Sequence, residues 1–209
     1  MEMLANDAVE SSRNASVLVT NPTHLAIALR YEEEDTPLPL VLAKGEGALA
    51  ERMNMSKSGV FAHFGSREDL QIAVLKRYHQ QFEQDVFAPS MSQPRGLPRL
   101  QSLFTRWVER VGREIASGCI YISGAVEYDD RPGPVRDQLI DMVGTWQQSL
   151  LRATQQAIDE GHLKADTDAA QLVFEMYGLV LALHHDARFI RSPDAVQRAH
   201  KGFERLINS

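Results

Sequence analysis

The spacing of apolar residues changes character near Ala48. Upstream, Ser16–Thr20 reads SVLVT and Leu25–Tyr31 reads LAIALRY, two short runs rich in branched residues. Asn21-Pro22-Thr23-His24 separates them. Proline's fixed φ and missing N–H make that gap a turn between strands. The acidic run Glu32–Asp35 with Thr36-Pro37 reads as a second loop, and Leu38–Ala43 is a third apolar run ending at Lys44-Gly45. The pattern predicts a three-stranded meander.

Beyond Gly47 the period becomes helical. Ala48–Asn54 reads as a short helix, and Ser56 caps a second that runs to Phe64 and stops at Gly65. Ser66-Arg67-Glu68-Asp69 is a capping-box-like start for a long helix to about Ala88, with Leu70, Val74, Leu75 and Tyr78 on one face. Pro89–Pro98 reads as a loop, followed by a helix over Arg99–Ile115 carrying Leu103, Phe104, Trp107 and Val111. Gly118 breaks it before an apolar helix over Cys119–Tyr128, and Asp130–Pro134 forces a turn. A helix from Val135 to about Glu160 stops at Gly161. Asp166 or Thr167 caps an apolar helix to Ile190, and Ser192-Pro193 supplies a cap and first-turn proline for the last, ending near Ile207. The predicted fold is mainly α, preceded by a short strand-rich segment, with domains at 1–47, 48–88 and 89–209 and no internal repeat.

Hydrophobic residues make up 44% of the 209 and charged ones 24%, enough for a sizeable soluble core. The net charge of −6 leaves no general attraction for nucleic acid or anionic membrane, so DNA binding needs a local basic face. One cysteine, Cys119, excludes an internal disulfide and fits a reducing compartment. No apolar run approaches the roughly 20 residues that span a bilayer, and Met1–Arg13 is unlike a signal peptide. A cytoplasmic protein without membrane partner is expected.

Leu49–Leu70, LAERMNMSKSGVFAHFGSREDL, places two short helices around a tight turn. That is either a plain helical hairpin or a helix-turn-helix that lays its second helix in the major groove. The run SKSGVFAHF, followed by a Ser-capped helix with acidic residues, resembles the DNA-binding region of TetR-family transcriptional regulators. Gly118–Asp137, GCIYISGAVEYDDRPGPVRD, is similar to a ligand-domain segment in that family, so the resemblance covers about Ala48–Ser209. It implies a TetR-like helical bundle and a homodimer through the last two helices. It also implies a small-molecule effector, and DNA contacts from Ser56, Lys57, Ser58, Gly59, His63 and Arg67. Ser56 is equally a plain cap and His63 equally a packing residue. Phe61 stands where the family often has a phosphate-binding tyrosine. The helix-turn-helix is truncated, because the strand-patterned segment stands where the family has its first helix. Without that apolar floor, Val60, Phe61 and Phe64 have fewer apolar partners, and each large side chain left poorly packed costs about 2 to 5 kcal/mol. DNA binding is therefore expected to be weakened or lost.

The N-terminal segment has chemistry of its own. An asparagine amide nitrogen can attack its own backbone carbonyl and cut the chain on its C-terminal side, with proximity replacing a base or cofactor. Proline beyond the cut blocks the competing deamidation. From residues alone Asn21-Pro22 reads as just a common turn, and Thr23 and His24 either assist proton transfer or shape it. Glu2–Gly45 resembles the cytoplasmic domain of the export-switch proteins of type III secretion systems, whose Asn-Pro-Thr-His loop self-cleaves between Asn and Pro. All four residues are intact here. That resemblance would place a membrane-spanning region before this segment and further strand and helices after it. Ala48–Met53 fits both families, and a fusion explains the chain better than divergence from either.

Trp107, Tyr121, Met142, Trp146, Phe174 and Tyr177 are the candidate pocket, although such aromatics are more often ordinary core. His184, His185 and Asp186 point about 100° apart on a helix, so no metal ligand set follows, and no cofactor is expected. Leu172, Met176, Leu179, Val180 and Leu183, with Ala199, Phe203, Leu206 and Ile207, form apolar stripes expected to make the dimer. The sequence therefore reads as a ligand-responsive regulator body with its first helix replaced, not an enzyme beyond self-cleavage. The alternatives are a self-cleaving switch fragment on a helical carrier, or a fusion with neither activity.

Overall fold

The computed structural model describes the strands at 17–20, 25–30 and 40–46 and the residues 66–116 and 118–208. The chain divides after Tyr78 into two units. In the first, β1 (Val17–Thr20), β2 (Leu25–Arg30) and β3 (Leu40–Glu46) form an antiparallel sheet in the order β1-β2-β3. Thr20 pairs with Ala26 and Val17 with Leu29, so the two strands close over the four-residue connection that holds Asn21-Pro22. The β2–β3 register shifts between Ala28 and Leu29, whose partners are Ala43 and Val41. The two short helices expected over 48–64 lie outside the described residues.

Helix α1 (Arg67–Phe82) begins where Ser66 takes the cap, its Oγ accepting from the Asp69 N–H at 3.0 Å. Leu70, Val74, Tyr78 and Phe82, four apart, are all buried. The helix does not end at Ala88. A π-helical turn over Glu83–Phe87 leads into α2 (Ala88–Met91), so the loop expected from Pro89 starts only at Ser92. A proline ring clashes with the carbonyl four residues back in a regular α-helix, and the wider π turn just before Pro89 accommodates it. Ser90, fully buried, settles the backbone by donating to the Val86 carbonyl at 2.7 Å.

The remaining helices are α3 (Leu97–Arg113), α4 (Ile120–Tyr128), α5 (Pro134–Asp159), α6 (Ala169–His185) and α7 (Ala195–Ile207). Helix α3 packs on α5, α6 and α7; α4 packs on α5; α5 packs on α6; and α6 packs on α7. Phe104 of α3 stacks on Phe203 of α7 with ring centres 4.1 Å apart. Helix α5 stops where Gly161 turns left-handed (φ +70°), letting the His162 and Leu163 N–H groups donate to the Ala157 carbonyl.

Two expected caps move. Thr167 closes a turn on the Lys164 carbonyl, so Asp168 takes the cap of α6, accepting from the Ala170 and Gln171 N–H groups at 3.0 Å. Helix α6 then passes into a second π turn over Asp186–Ile190. Arg191 is left-handed (φ 64°) and the Ser192 N–H donates to the Asp186 carbonyl, so Ser192 finishes the preceding helix. Asp194 is left as the boundary of α7.

The expected dimer stripe also needs correction. Leu172, Met176, Val180, Leu183, Ala199 and Phe203 are buried within the single chain. Both faces of α6 are apolar, and the face holding these residues is the one that closes the chain's own core. The outward apolar residues of α6 are Phe174, 71% exposed, and Leu181, 48% exposed. No helix among the described residues is long and apolar enough to cross a membrane.

Candidate functional site

An aromatic cluster forms where α1, α3, α4, α5 and α6 converge. Trp107 meets Trp146 edge to face at 5.4 Å between ring centres, and Phe82 meets Trp146 in the same way at 4.8 Å. Tyr177 closes on Trp107 at 4.7 Å, and Tyr121 lies tilted on Phe82 at 5.2 Å. Edge-to-face contacts of this kind place the positive rim of one ring against the negative face of another. Local sequence fixes each ring. Trp107 continues the buried stripe Leu100, Leu103, Phe104 of α3, and Trp146 lies between Leu139, Met142 and Leu150 on the inward face of α5.

Of the candidate pocket residues, Trp107, Tyr121, Trp146 and Tyr177 come together, and Met142 is buried one turn before Trp146. Phe174 does not join them; it is three residues from Tyr177 and faces outward. Phe82 and His79 complete the group and escape a reading of the sequence alone. The four-residue spacing Leu70, Val74, Tyr78, Phe82 is the signal for Phe82. His79 reaches the cluster through its Nδ1, hydrogen-bonded to the Tyr121 hydroxyl, while its Nε2 lies 3.7 Å from Glu83.

Arg110 is the charged member. It is 5% exposed, and it donates to Asp85 at 2.7 Å and pairs with Glu114 at 3.0 Å. Its guanidinium also lies 5.5 Å from the Phe82 ring centre. Burial, with the nearby Cys119 sulfur second, pushes the Tyr121 hydroxyl above its ordinary range. Burial does the same for Tyr177, helped by Tyr121 and Cys119. Both phenols stay neutral at any working pH. The indole Nε1–H groups of Trp107 and Trp146 are buried with no hydrogen-bond partner. Each such orphan donor costs about 1 to 3 kcal/mol.

Beside the cluster, His184 accepts from the Cys119 N–H at its Nε2 (3.4 Å), and His185 Nδ1 lies 3.1 Å from Asp186. Arg188 donates to the Ile115 and Ala116 carbonyls just after the end of α3. Burial, then Arg188 and His185, lowers the pKa of His184 below its ordinary value. The unfolded chain therefore binds this proton more readily than the folded one. The fold holds full stability above the unfolded value of about 6.5 and loses part of it as pH falls through the lowered folded value. Urea midpoints should fall on acidification from neutral pH, and His184→Gln should flatten that fall.

Ser56, Lys57, Ser58, Gly59 and His63, the Arg67 side chain, and Asn21, Pro22, Thr23 and His24 lie outside the described residues. The strands on either side of the last four are described.

Comparison with known proteins separates the two parts of the chain. Residues 1–56 match the family model of the FlhB HrpN YscU SpaS Family. The flagellar biosynthetic protein FlhB of Aquifex aeolicus (strain VF5) is 51% identical over 39 residues, which are 19% of this chain and 11% of that protein. FlhB of Yersinia enterocolitica is 59% identical over 39 residues, 19% of this chain and 10% of that one. The Yop proteins translocation protein U of Yersinia pestis is 44% identical over 43 residues, 21% of this chain and 12% of that protein. The chain thus spans about a tenth of the length of these curated relatives. Among solved structures, AibR in complex with isovaleryl coenzyme A and operator DNA superimposes with a TM-score of 0.60 at 21% identity. The match covers 77% of this chain and 85% of that one, a likeness of fold. Residues 96–203 match the family model of the Tetracyclin repressor-like, C-terminal domain, without overlapping the N-terminal match, as in a chimera. That stretch holds α3 to α7 almost whole and is just over half of the chain, which therefore belongs to the Tetracyclin repressor-like, C-terminal domain family.

Proposed function

We propose that the chain is a ligand-responsive, TetR-like regulator body whose first helix is replaced by an export-switch segment, with DNA binding weakened by the replacement. The observation that carries this reading is the buried aromatic cluster with two unpartnered indole donors, set inside a Tetracyclin repressor-like domain. The AibR structure, in complex with isovaleryl coenzyme A and operator DNA, supports a small molecule and DNA as partner classes. Lys57 and Arg67 remain to meet phosphate, but reading bases needs a fixed helix pose. Binding to duplex DNA should be weak, steeply salt-dependent and indifferent to sequence. Grafting a family first helix in place of residues 1–47 should tighten it. Fluorescence anisotropy on duplexes of varied sequence tests this, and tight, sequence-selective binding by the unaltered chain would sink the impairment. The working compartment is the cytoplasm.

The dimer forms through α6 and α7 on the outward face. Phe174 and Leu181, seven apart on α6, lie on one side of that helix. Beside them, a groove of about 810 Å³ between α6 and α7 is lined by Leu179 and Gly202 with Arg198, Lys201, Glu204 and Arg205. Phe174→Glu should weaken self-association by about 100-fold or more, as expected when a central aromatic anchor costs about 3 kcal/mol. Thermal stability should hardly change, because Phe174 is exposed in the single chain. Sedimentation velocity across a micromolar series checks this. A wild-type chain that runs as a monomer there would reject the dimer.

A second reading, self-cleavage between Asn21 and Pro22, is favoured by the match of residues 1–56 to the export-switch family and by the intact Asn-Pro-Thr-His sequence. It is compatible with the first, because the cut leaves the helical body whole.

A further inference from the structure

The aromatic cluster offers hydrogen-bond donors that its own residues do not use. Trp107 and Trp146 are 2% and 3% exposed, and neither Nε1–H has an acceptor. An indole nitrogen only donates. Trp107–Trp146, Phe82–Trp146 and Trp107–Tyr177 are edge-to-face contacts, and a ring face is at best a weak acceptor. A carbonyl oxygen is a much stronger one.

Charge narrows the choice further. Arg110, over the Phe82 ring, is shared between Asp85 and Glu114, so two carboxylates face one guanidinium. An anionic ligand would have to compete with both carboxylates for that guanidinium, in a setting where water screens little. A cation would suit the ring faces but leave both indole donors without an acceptor. We infer that the cluster takes a compact neutral ligand with an apolar body and a carbonyl-type oxygen, the oxygen accepting from the Nε1–H of Trp107 or Trp146. This rests on the reading of the chain as a ligand-responsive regulator.

Three matched probes separate the requirements on the full chain: 2-acetylnaphthalene carries a neutral acceptor, 2-ethylnaphthalene none, and 2-naphthoate a charged one. By equilibrium dialysis, 2-acetylnaphthalene should bind about tenfold more tightly than 2-ethylnaphthalene, the worth of one hydrogen bond to a buried donor. The naphthoate should bind more weakly than the ketone. Trp107→Phe or Trp146→Phe keeps a ring and removes the N–H, and at least one should bring the ketone-to-hydrocarbon ratio close to one. The chain has two tryptophans, so a nitrogen-15 spectrum of the wild type shows both indole N–H groups directly. At saturation the ketone should move at least one indole proton further downfield than the hydrocarbon, whose ring current acts without a hydrogen bond, a readout that does not depend on how the variants fold. Equal affinities for ketone and hydrocarbon with the same indole shifts would overturn the acceptor requirement and leave the ligand site standing. A ratio unchanged in both variants would overturn the role of the indoles, and tightest binding of naphthoate would overturn neutrality. No binding of any probe would overturn the inference and the ligand-site reading together.

Discussion

Arg110→Ala is expected to lower the unfolding free energy of the helical body by roughly 1 to 3 kcal/mol, between the cost of an exposed pair and that of a fully buried one, because Arg110 is buried while Asp85 is 37% exposed. The reason lies in what remains. Asp85, on the first π turn, and Glu114, one turn on from Arg110, both pair with this guanidinium. Without it neither carboxylate has this cation beside it, and Glu114 has little access to water. The Phe82 ring is left without the cation above it as well. A surface pair would contribute far less, because solvent already screens it. Arg110→Lys should recover part of the loss, since an ammonium supplies charge but cannot reach two carboxylates in one planar fork. Urea unfolding with the m-value unchanged is the measurement. A loss below about 1 kcal/mol would place this triad with ordinary surface pairs.

The same residues show how far sequence pattern reaches. Helix α3 is legible because Leu100, Leu103, Phe104, Trp107 and Val111 repeat against a charged opposite face. The pattern misplaces its start by two residues because Leu97-Pro98 reads as loop, although proline is well suited to the first helical turn. Helix α6 is legible as a helix but not in its facing. Nearly every position from Leu172 to Leu183 is apolar, so the period carries no contrast between the chain's own core and an outward surface. That is why the pattern puts Phe174 in the pocket and Leu183 at a dimer seam. The first π turn is invisible to it, because the wider turn is set by how Pro89 is accommodated and not by apolar spacing. Four of the six candidate pocket side chains meet as aromatics because α3, α4, α5 and α6 each turn a single ring inward at that level. Phe82 escapes because it sits on the connecting helix, which the pattern assigns to another domain. The unused indole donors cannot be read from sequence at all, since a missing acceptor is a property of the surroundings.

Cleavage between Asn21 and Pro22 should turn one chain into fragments 1–21 and 22–209, and Asn21→Ala should abolish it. The attacking group is the Asn21 side-chain nitrogen. It forms a bond to the Asn21 backbone carbonyl carbon, the bond from that carbon to the Pro22 nitrogen breaks, and the proline nitrogen takes the proton and becomes a new N-terminus. The other product ends in a succinimide. The connection that would hold the attack angle is four residues long, and its ends are tied by the pairs Thr20 with Ala26 and Val19 with Ile27. Such restraint can replace a catalytic base, because a fixed near-attack geometry supplies much of the barrier reduction. The strand β1 stays paired with β2 after the cut, so the fragments should co-migrate under native conditions and separate on denaturation. Pro22→Ala should slow the reaction or divert it to deamidation, because alanine restores a backbone N–H. Denaturing intact-mass measurement of freshly purified and incubated protein reads the wild type and both variants. An unchanged mass in the wild type after days at mildly alkaline pH would reject self-cleavage for this chain. A cut that persists in Asn21→Ala would assign it to an outside protease, because the variant has no amide nitrogen to attack with.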